Sequence, residues 1–98
     1  MINIIIPTYK ARDTLADAFN SLCSQTKKMF WVTVVQDCDG EDYSDIIEEF
    51  KRHGLHISLL QRKENGGPGM ARNDGILYSE KCNFEFLMFL DADDILFP

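Results

Sequence analysis

The chain has 98 residues with a formal net charge of −6, and 45% of its residues are hydrophobic. These values fit one small domain with a real apolar core and exclude an intrinsically disordered chain. The negative charge argues against binding nucleic acid or an anionic membrane through bulk electrostatics, although a metal ion or a local basic group can still attract an anionic ligand.

The cysteines and the N-terminus bear on the cellular compartment. Cys23, Cys38 and Cys82 have no C-x-x-C spacing, a pattern typical of free thiols in a reducing compartment that predicts no zinc site. The opening MINIIIPTYK lacks the basic start of a signal peptide, and its apolar run is too short to span a membrane. We therefore expect a cytoplasmic protein, or the cytoplasmic part of a longer protein held at the membrane face by other regions.

Four short apolar runs alternate with three helical patterns along the chain. The runs cover residues 2–6, 30–35, 55–60 and 84–90. They are β-branched or aromatic and mostly do not alternate, as in strands that helices cover on both faces. The order β-α-β-α-β-α-β predicts an α/β fold, with an open, mostly parallel sheet and flanking helices.

The three helices are predicted by apolar residues that recur with helical spacing. The first covers 13–24, with Asp13 or Thr14 as N-cap, and its inward residues are Leu15, Ala18, Phe19 and Leu22. The second covers 42–53 and ends before Gly54, and its inward residues are Tyr43, Ile46, Ile47 and Phe50. The third covers about 69–80, where Gly75 weakens the pattern, and its inward residues are Met70, Ala71, Leu77 and Tyr78.

Polar or glycine-rich segments follow all four predicted strands. They are PTYK at 7–10, QDCDGED at 36–42, RKENGGPGMARNDG at 62–75 and DADD at 91–94. Ligands of an open α/β sheet bind outside the carboxyl ends of its strands. The four segments together therefore predict a binding crevice at this edge.

The segment DADD suggests a metal site. Residues two apart in a strand share a face, so Asp91 and Asp93 point into one site. Two such carboxylates repel each other unless a cation lies between them, and Mg²⁺ or Mn²⁺ takes oxygen ligands while keeping positions open for phosphates. The alternative, and the more frequent case for a lone pair of this kind, is a solvated turn in which Asp93 or Asp94 caps the next helix.

The glycine-rich segment suggests a ligand contact through backbone N–H groups. Gly66, Gly67 and Gly69 let the backbone approach a phosphate or a sugar, and Arg72 can reach a phosphate or a base. The spacing is neither G-x-G-x-x-G nor that of a P-loop, which excludes both of those motifs. The alternative is an ordinary glycine loop that starts a helix, with Arg72 in solvent.

Asp37 and Tyr9 each admit two interpretations. Asp37 can accept a hydrogen bond from a nucleotide base, or it can be a turn aspartate. Tyr9 can stack on a base, or it can cover the edge of the core.

Taken in order, IIIPTYK, VVQDCDG, NGGPGMARNDGI and FLMFLDADD resemble the N-terminal, nucleotide-sugar-binding half of family 2 glycosyltransferases, which have the GT-A fold. The resemblance runs from residue 2 to residue 96 and describes 1–98 as a GT-A domain truncated after its fourth strand, without the acceptor-binding half. It implies that Pro7, Thr8 and Tyr9 line the nucleotide pocket and that Asp37 holds the base, usually uracil.

The resemblance also implies roles for the last two segments. The family's N-x-G-x-x-x-A-R-N-x-G segment borders the base and the diphosphate, and it matches Asn65, Gly67, Ala71, Arg72, Asn73 and Gly75. Asp91 contacts the ribose or the metal, and Asp93 contacts the metal that bridges the diphosphate. Gln36 and Cys38 depart from the family's usual acidic residue and glycine, and Lys10 replaces a frequent asparagine.

The activity implied is transfer of a sugar from a nucleotide-sugar donor, UDP-linked, to an acceptor hydroxyl, with metal-assisted departure of the diphosphate and inversion. The family's catalytic base, usually an Asp, follows the matched region, so we expect residues 1–98 alone to bind nucleotide without turnover. An unpaired sheet edge favours homo-oligomers. The alternatives are a non-catalytic nucleotide-binding or assembly module and a nucleotidyltransferase, which the lack of glycine in PTYKARDT disfavours.

Overall fold

The computed structural model describes residues 2–25 and 29–91, and within them four strands alternate with three helices. The strands are β1 (Ile2–Thr8), β2 (Phe30–Gln36), β3 (Ile57–Gln61) and β4 (Phe86–Phe89). The helices are α1 (Arg12–Cys23), α2 (Ser44–Arg52) and α3 (Gly67–Lys81). The α/β fold predicted from the alternating patterns is confirmed.

The strands form one parallel sheet in the order β3-β2-β1-β4. Consecutive strands run outward from β1 to β3, and the chain then returns to the other side of β1 to form β4. The direction of strand order therefore reverses between β1 and β4. In open α/β sheets a crevice opens at such a reversal, outside the carboxyl ends of the strands.

Helices α1 and α2 cover one face of the sheet, and the inward residues predicted for them are buried there. Phe19 and Phe50 meet with their ring centroids 5.1 Å apart, so the two helices also pack on each other. The sheet contributes Ile4, Ile6, Val32 and Val34 to the same core.

Helix α3 covers the opposite face, and the prediction for its inward residues is wrong at two positions. Met70 and Leu77 are exposed, whereas Ala71, Gly75 and Ser79 face the sheet at intervals of four residues. The contact is too close for large side chains, since a Cβ built on Gly75 would lie 2.5 Å from Ile5 Cγ2. Gly75, which weakens the helical pattern, thus permits close helix–sheet packing.

The start of α1 also differs from the expectation. The N-cap is Ala11 and makes no side-chain cap bond, whereas Asp13 and Thr14 lie inside the helix. The Thr14 hydroxyl donates back to the Ala11 carbonyl at 3.2 Å. The N–H of Ala11 donates to the hydroxyl of Tyr43 at 3.1 Å, so a partner distant in sequence stabilises this helix end.

Strand β4 is less buried than its apolar sequence predicts. Phe86, Leu87, Met88 and Phe89 are between 37% and 62% exposed. In the described sheet β4 pairs with β1 alone and has helix α3 beside only one of its faces.

The three described helices were also compared with the length and hydropathy of a membrane span. None of them has both the length and the apolar character that crossing a bilayer requires.

Candidate functional site

A cavity of about 670 Å³ opens at the carboxyl end of the sheet, beside the reversal between β1 and β4. It brings together all eight residues that the sequence predicts to bind substrate: Pro7, Thr8, Tyr9, Asp37, Asn65, Gly67, Arg72 and Asp91. Four further residues line it: Lys10, Ala11, Thr14 and Ala71. Asp93, the predicted metal ligand, lies outside the described residues.

Asp37 lies at the end of β2 and is only 5% exposed. Its Oδ1 accepts a hydrogen bond from Arg62 Nη1 at 2.7 Å, and its Oδ2 accepts one from the Gly67 N–H at 3.0 Å. The Gly66 N–H lies between the two oxygens, at 3.1 and 3.2 Å. Burial raises the pKa of Asp37, but the donors Gly67, Arg62 and Gly66 outweigh it and hold the pKa below its ordinary value. The carboxylate is therefore an acceptor at neutral pH.

Arg62, to which the sequence pattern assigned no role, is the cation paired with Asp37. It follows β3, and its Nε donates to Asp74 at 2.7 Å while Nη1 donates to Asp37. Its side chain is 13% exposed, and it lies behind the cavity wall. An arginine directly after β3, beside an aspartate at the end of β2, is the signal that points to this pair.

A second polar group holds the loop after β1. Asp39 Oδ2 accepts hydrogen bonds from the Lys10 N–H and from the Tyr43 hydroxyl, both at 2.8 Å. Lys10 has φ +49, a left-handed conformation that asparagine adopts more readily than lysine. Asp39 thus stabilises the backbone turn beside Tyr9, which lines the cavity.

One departure from the usual family pattern, Gln36, helps to order this loop. Gln36 replaces an acidic residue, and its Nε2 donates to Asp39 Oδ1 at 2.6 Å and to the Glu41 carbonyl at 2.7 Å. A carboxylate at position 36 has no hydrogen to donate. The pair of Gln36 and Asp39 therefore orders the loop after β2 in a way that an acidic residue at position 36 could not.

Arg72 and Asp91 face each other across the cavity opening. Arg72 Nη2 lies 3.0 Å from Asp91 Oδ1, and their side chains are 40% and 53% exposed. An exposed ion pair of this kind contributes little to stability. Both groups therefore remain accessible to a ligand: one cation from α3 and one carboxylate after β4.

One described residue, Asp91, has the donor chemistry of a ligand for a hard cation. Asp91 offers a carboxylate oxygen, the ligand type that Mg²⁺ and Mn²⁺ prefer. No group of three His, Cys, Asp or Glu side chains that could hold an ion lies within residues 2–25 and 29–91. The donor chemistry of Asp91 fits a hard divalent cation that takes its other ligands from elsewhere.

Comparison with known proteins identifies the family. The sequence profile of glycosyl transferase family 2 matches residues 3–98. The chain belongs to glycosyl transferase family 2. The four-stranded parallel sheet with its three helices is the N-terminal part of the GT-A fold of this family.

Curated family 2 members resemble the chain over nearly its whole length. It is 35% identical to the poly(ribitol-phosphate) beta-N-acetylglucosaminyltransferase TarS of Staphylococcus aureus (strain Mu50 / ATCC 700699), over 96% of the chain and 16% of TarS. It is 29% identical to the putative teichuronic acid biosynthesis glycosyltransferase TuaG of Bacillus subtilis, over 96% of the chain and 36% of TuaG. The chain thus spans about a third or less of the length of these relatives.

Solved structures of other glycosyltransferases share the architecture. The crystal structure of S. aureus TarS residues 1–349 with UDP-GlcNAc superposes with a TM-score of 0.82 at 31% identity, covering 98% of this chain and 27% of that one. The mannosyltransferase PcManGT of Pyrobaculum calidifontis, in complex with GDP-Man and Mn²⁺, has a TM-score of 0.81 at 18% identity, covering 96% and 28%. At that identity the second match concerns the fold alone.

Proposed function

We propose that this glycosyltransferase transfers a sugar from a UDP-linked donor to an acceptor hydroxyl, with inversion, and that the cavity beside β1 and β4 binds the donor. The single observation that carries the proposal is the convergence of eight separately predicted residues on that cavity. The similarity to TarS, whose crystal structures include complexes with UDP-GlcNAc and with UDP, supports a uridine nucleotide.

Each wall of the cavity offers one part of donor recognition. Asp37 accepts a hydrogen bond from a ring N–H of the base, and Tyr9 offers an aromatic face for stacking. Asn65 and Gly67 border the nucleotide, where a glycine lets the backbone come close. Arg72 supplies positive charge for the diphosphate, which matters in a chain whose net charge is −6.

Asp91 and Asp93 would hold a divalent metal, Mn²⁺ or Mg²⁺. When bound, the metal neutralises the charge that develops on the departing diphosphate. Arg72 can then pair with either of two anions, Asp91 or the diphosphate. Its exposed ion pair with Asp91 is weak, so Arg72 can exchange Asp91 for the diphosphate.

We further propose that residues 1–98 alone bind nucleotide without turnover. This proposal rests on the family resemblance, which implies that the acceptor site and the catalytic base follow the matched region.

Calorimetric titration of the full-length protein with UDP, with and without Mn²⁺, tests the donor site. We expect UDP to bind, Mn²⁺ to tighten binding, and Asp91→Asn to remove the effect of Mn²⁺. Asp17→Asn is the matched control, because Asp17 is exposed on α1 outside the cavity lining. Absence of UDP binding by the folded wild-type protein would overturn the proposal.

Transfer itself is tested with Asp93→Ala in the full-length protein. We expect this variant to lose metal-dependent transfer of sugar from a UDP-sugar. Full activity of Asp93→Ala would contradict the role given to the aspartate pair.

A further inference from the structure

We propose that Arg62 is a positioning residue that holds the Asp37 carboxylate against the glycine loop as an acceptor, and so makes the site select bases that present a ring N–H. The inference rests on the proposed binding of a nucleotide in the cavity. Arg62 itself lies outside the lining of that cavity, so it acts on the ligand through Asp37.

One guanidinium joins the segments that follow β2 and β3. Arg62 bridges Asp37, directly after β2, and Asp74 on α3, both at 2.7 Å, and its Nη1 also donates to the Glu64 carbonyl at 3.1 Å. The Arg62 N–H donates to the Gln36 carbonyl at 2.8 Å and continues the β2–β3 pairing beyond the strand. A guanidinium presents donors in a rigid planar fork, so it sets the orientation of the carboxylates it binds.

The glycine loop depends on the same arrangement. A Cβ on Gly66 would lie 2.5 Å from Arg62 Nη1, so the loop backbone lies directly on the guanidinium. Gly67, which donates to Asp37, has φ +80, a conformation that glycine adopts at little cost. Arg62 and Asp37 together therefore define where Gly67 meets the cavity.

The protonation state of Asp37 depends on Arg62. Among the described residues, the charged groups that contact this cluster or lie at the cavity are Arg62, Glu64, Lys10, Asp39, Arg72, Asp74 and Asp91. Arg62 is the described cation that contacts Asp37 directly, and Asp37 is nearly fully buried. Without Arg62 the donors to this carboxylate among the described residues are the Gly66 and Gly67 N–H groups, and desolvation then favours its protonated form.

Protonation of Asp37 would change which base the site accepts. An ionised carboxylate only accepts hydrogen bonds, whereas a carboxylic acid also donates. The ring N3 of uracil carries a hydrogen, and the ring N3 of cytosine is an acceptor. Asp37 held by Arg62 therefore favours uracil and disfavours cytosine, and a protonated Asp37 loses that distinction.

The test measures the dissociation constants of UDP and CDP for the full-length protein at about pH 8 and about pH 5.5. For the wild type and for Arg12→Met, the control, we expect the same preference for UDP at both pH values. Arg12 also pairs with an aspartate, Asp45, but outside the cavity lining. For Arg62→Met we expect UDP affinity to fall about tenfold and the preference over CDP to shrink at the lower pH.

A second measurement does not need a nucleotide. Carbon NMR of the Asp37 carboxyl group in the ligand-free protein should show a higher pKa in Arg62→Met than in the wild type. Arg62→Lys, which keeps the charge but loses the fork, should raise the pKa less. This variant decides the question if Arg62→Met does not fold.

The outcomes separate the two proposals. Failure of the wild type to bind UDP would overturn the proposed function, while the carboxyl titration still decides whether Arg62 controls Asp37. Folded Arg62 variants with a wild-type Asp37 titration and a wild-type preference for UDP at both pH values would overturn the role of Arg62.

Discussion

The Tyr43 hydroxyl donates to Asp39 at 2.8 Å and accepts a hydrogen bond from the Ala11 N–H at 3.1 Å. One buried phenol thereby links the loop after β2 to the start of α1. Lys10, between Tyr9 and Ala11, donates to the same Asp39 oxygen. Tyr43, the residue before α2, thus helps to hold the turn of Tyr9, Lys10 and Ala11, which line the cavity.

Tyr43→Phe should weaken both the fold and the site. The change removes the donor to Asp39 and leaves the Ala11 N–H without its partner, which should lower the free energy of unfolding by about 1–3 kcal/mol. UDP affinity should fall as well, because the Tyr9–Ala11 turn loses its support. Urea unfolding and calorimetric titration measure the two effects.

Tyr78→Phe is the matched control for this experiment. The Tyr78 hydroxyl contacts Ser58 Oγ at 3.1 Å, and neither residue lines the cavity. We expect a small loss of stability and unchanged UDP affinity. If Tyr43→Phe binds UDP as tightly as the wild type does, the prediction that Tyr43 supports the binding site is wrong.

Alkaline pH should destabilise the protein through the same phenol. Burial, together with the hydrogen bond to Asp39, raises the pKa of Tyr43 to about 12 from the ordinary 10.0. A group whose pKa is higher in the folded state than in the unfolded state contributes stability that is present below about pH 10. That contribution is lost as the pH rises towards about 12. Unfolding at a series of alkaline pH values should show this decline, and Tyr43→Phe should make it shallower. The same slope in both proteins would contradict the assignment to Tyr43.

Gly75→Ala should destabilise the protein by about 1–3 kcal/mol, because the added methyl group overpacks the contact of α3 with Ile5. Gly69→Ala is the control in the same helix, since a Cβ there meets no atom within 4 Å. Alanine is the better helix former, so Gly69→Ala should leave stability unchanged or raise it by up to about 1 kcal/mol. Thermal unfolding compares the variants, and a Gly75→Ala protein as stable as the wild type would refute the close packing.

The edge at β4 should cause the 98-residue chain to self-associate. Its apolar side chains are exposed and, within the described sheet, β4 is an edge strand that pairs with β1 alone, which favours pairing with another strand. Sedimentation velocity over a concentration series should detect dimers or larger species, and Leu87→Lys should reduce them. Leu77→Lys, which changes an exposed leucine on α3, is the control. A monomeric wild type at every concentration would rule the prediction out.

The periodicity of the chain predicted most of the fold, because α1 and α2 pack through large apolar side chains. Leu15, Phe19 and Phe50 repeat at helical intervals, and that pattern reports directly which face is buried. Helix α3 packs through Ala71, Gly75 and Ser79, and of these three small residues the apolar pattern identified Ala71 alone. Pattern reasoning therefore chose Met70 and Leu77, which are exposed.

The sequence by itself determined that polar segments follow four parallel strands, and parallel strands bring their carboxyl ends to one edge. That is why the predicted residues, from Pro7 to Asp91, meet at one cavity. Only the tertiary structure decided which other groups hold these residues in place. Arg62, Asp39 and Tyr43 act through partners 4 to 32 residues away. Such contacts depend on strand order and helix packing, which no local pattern records.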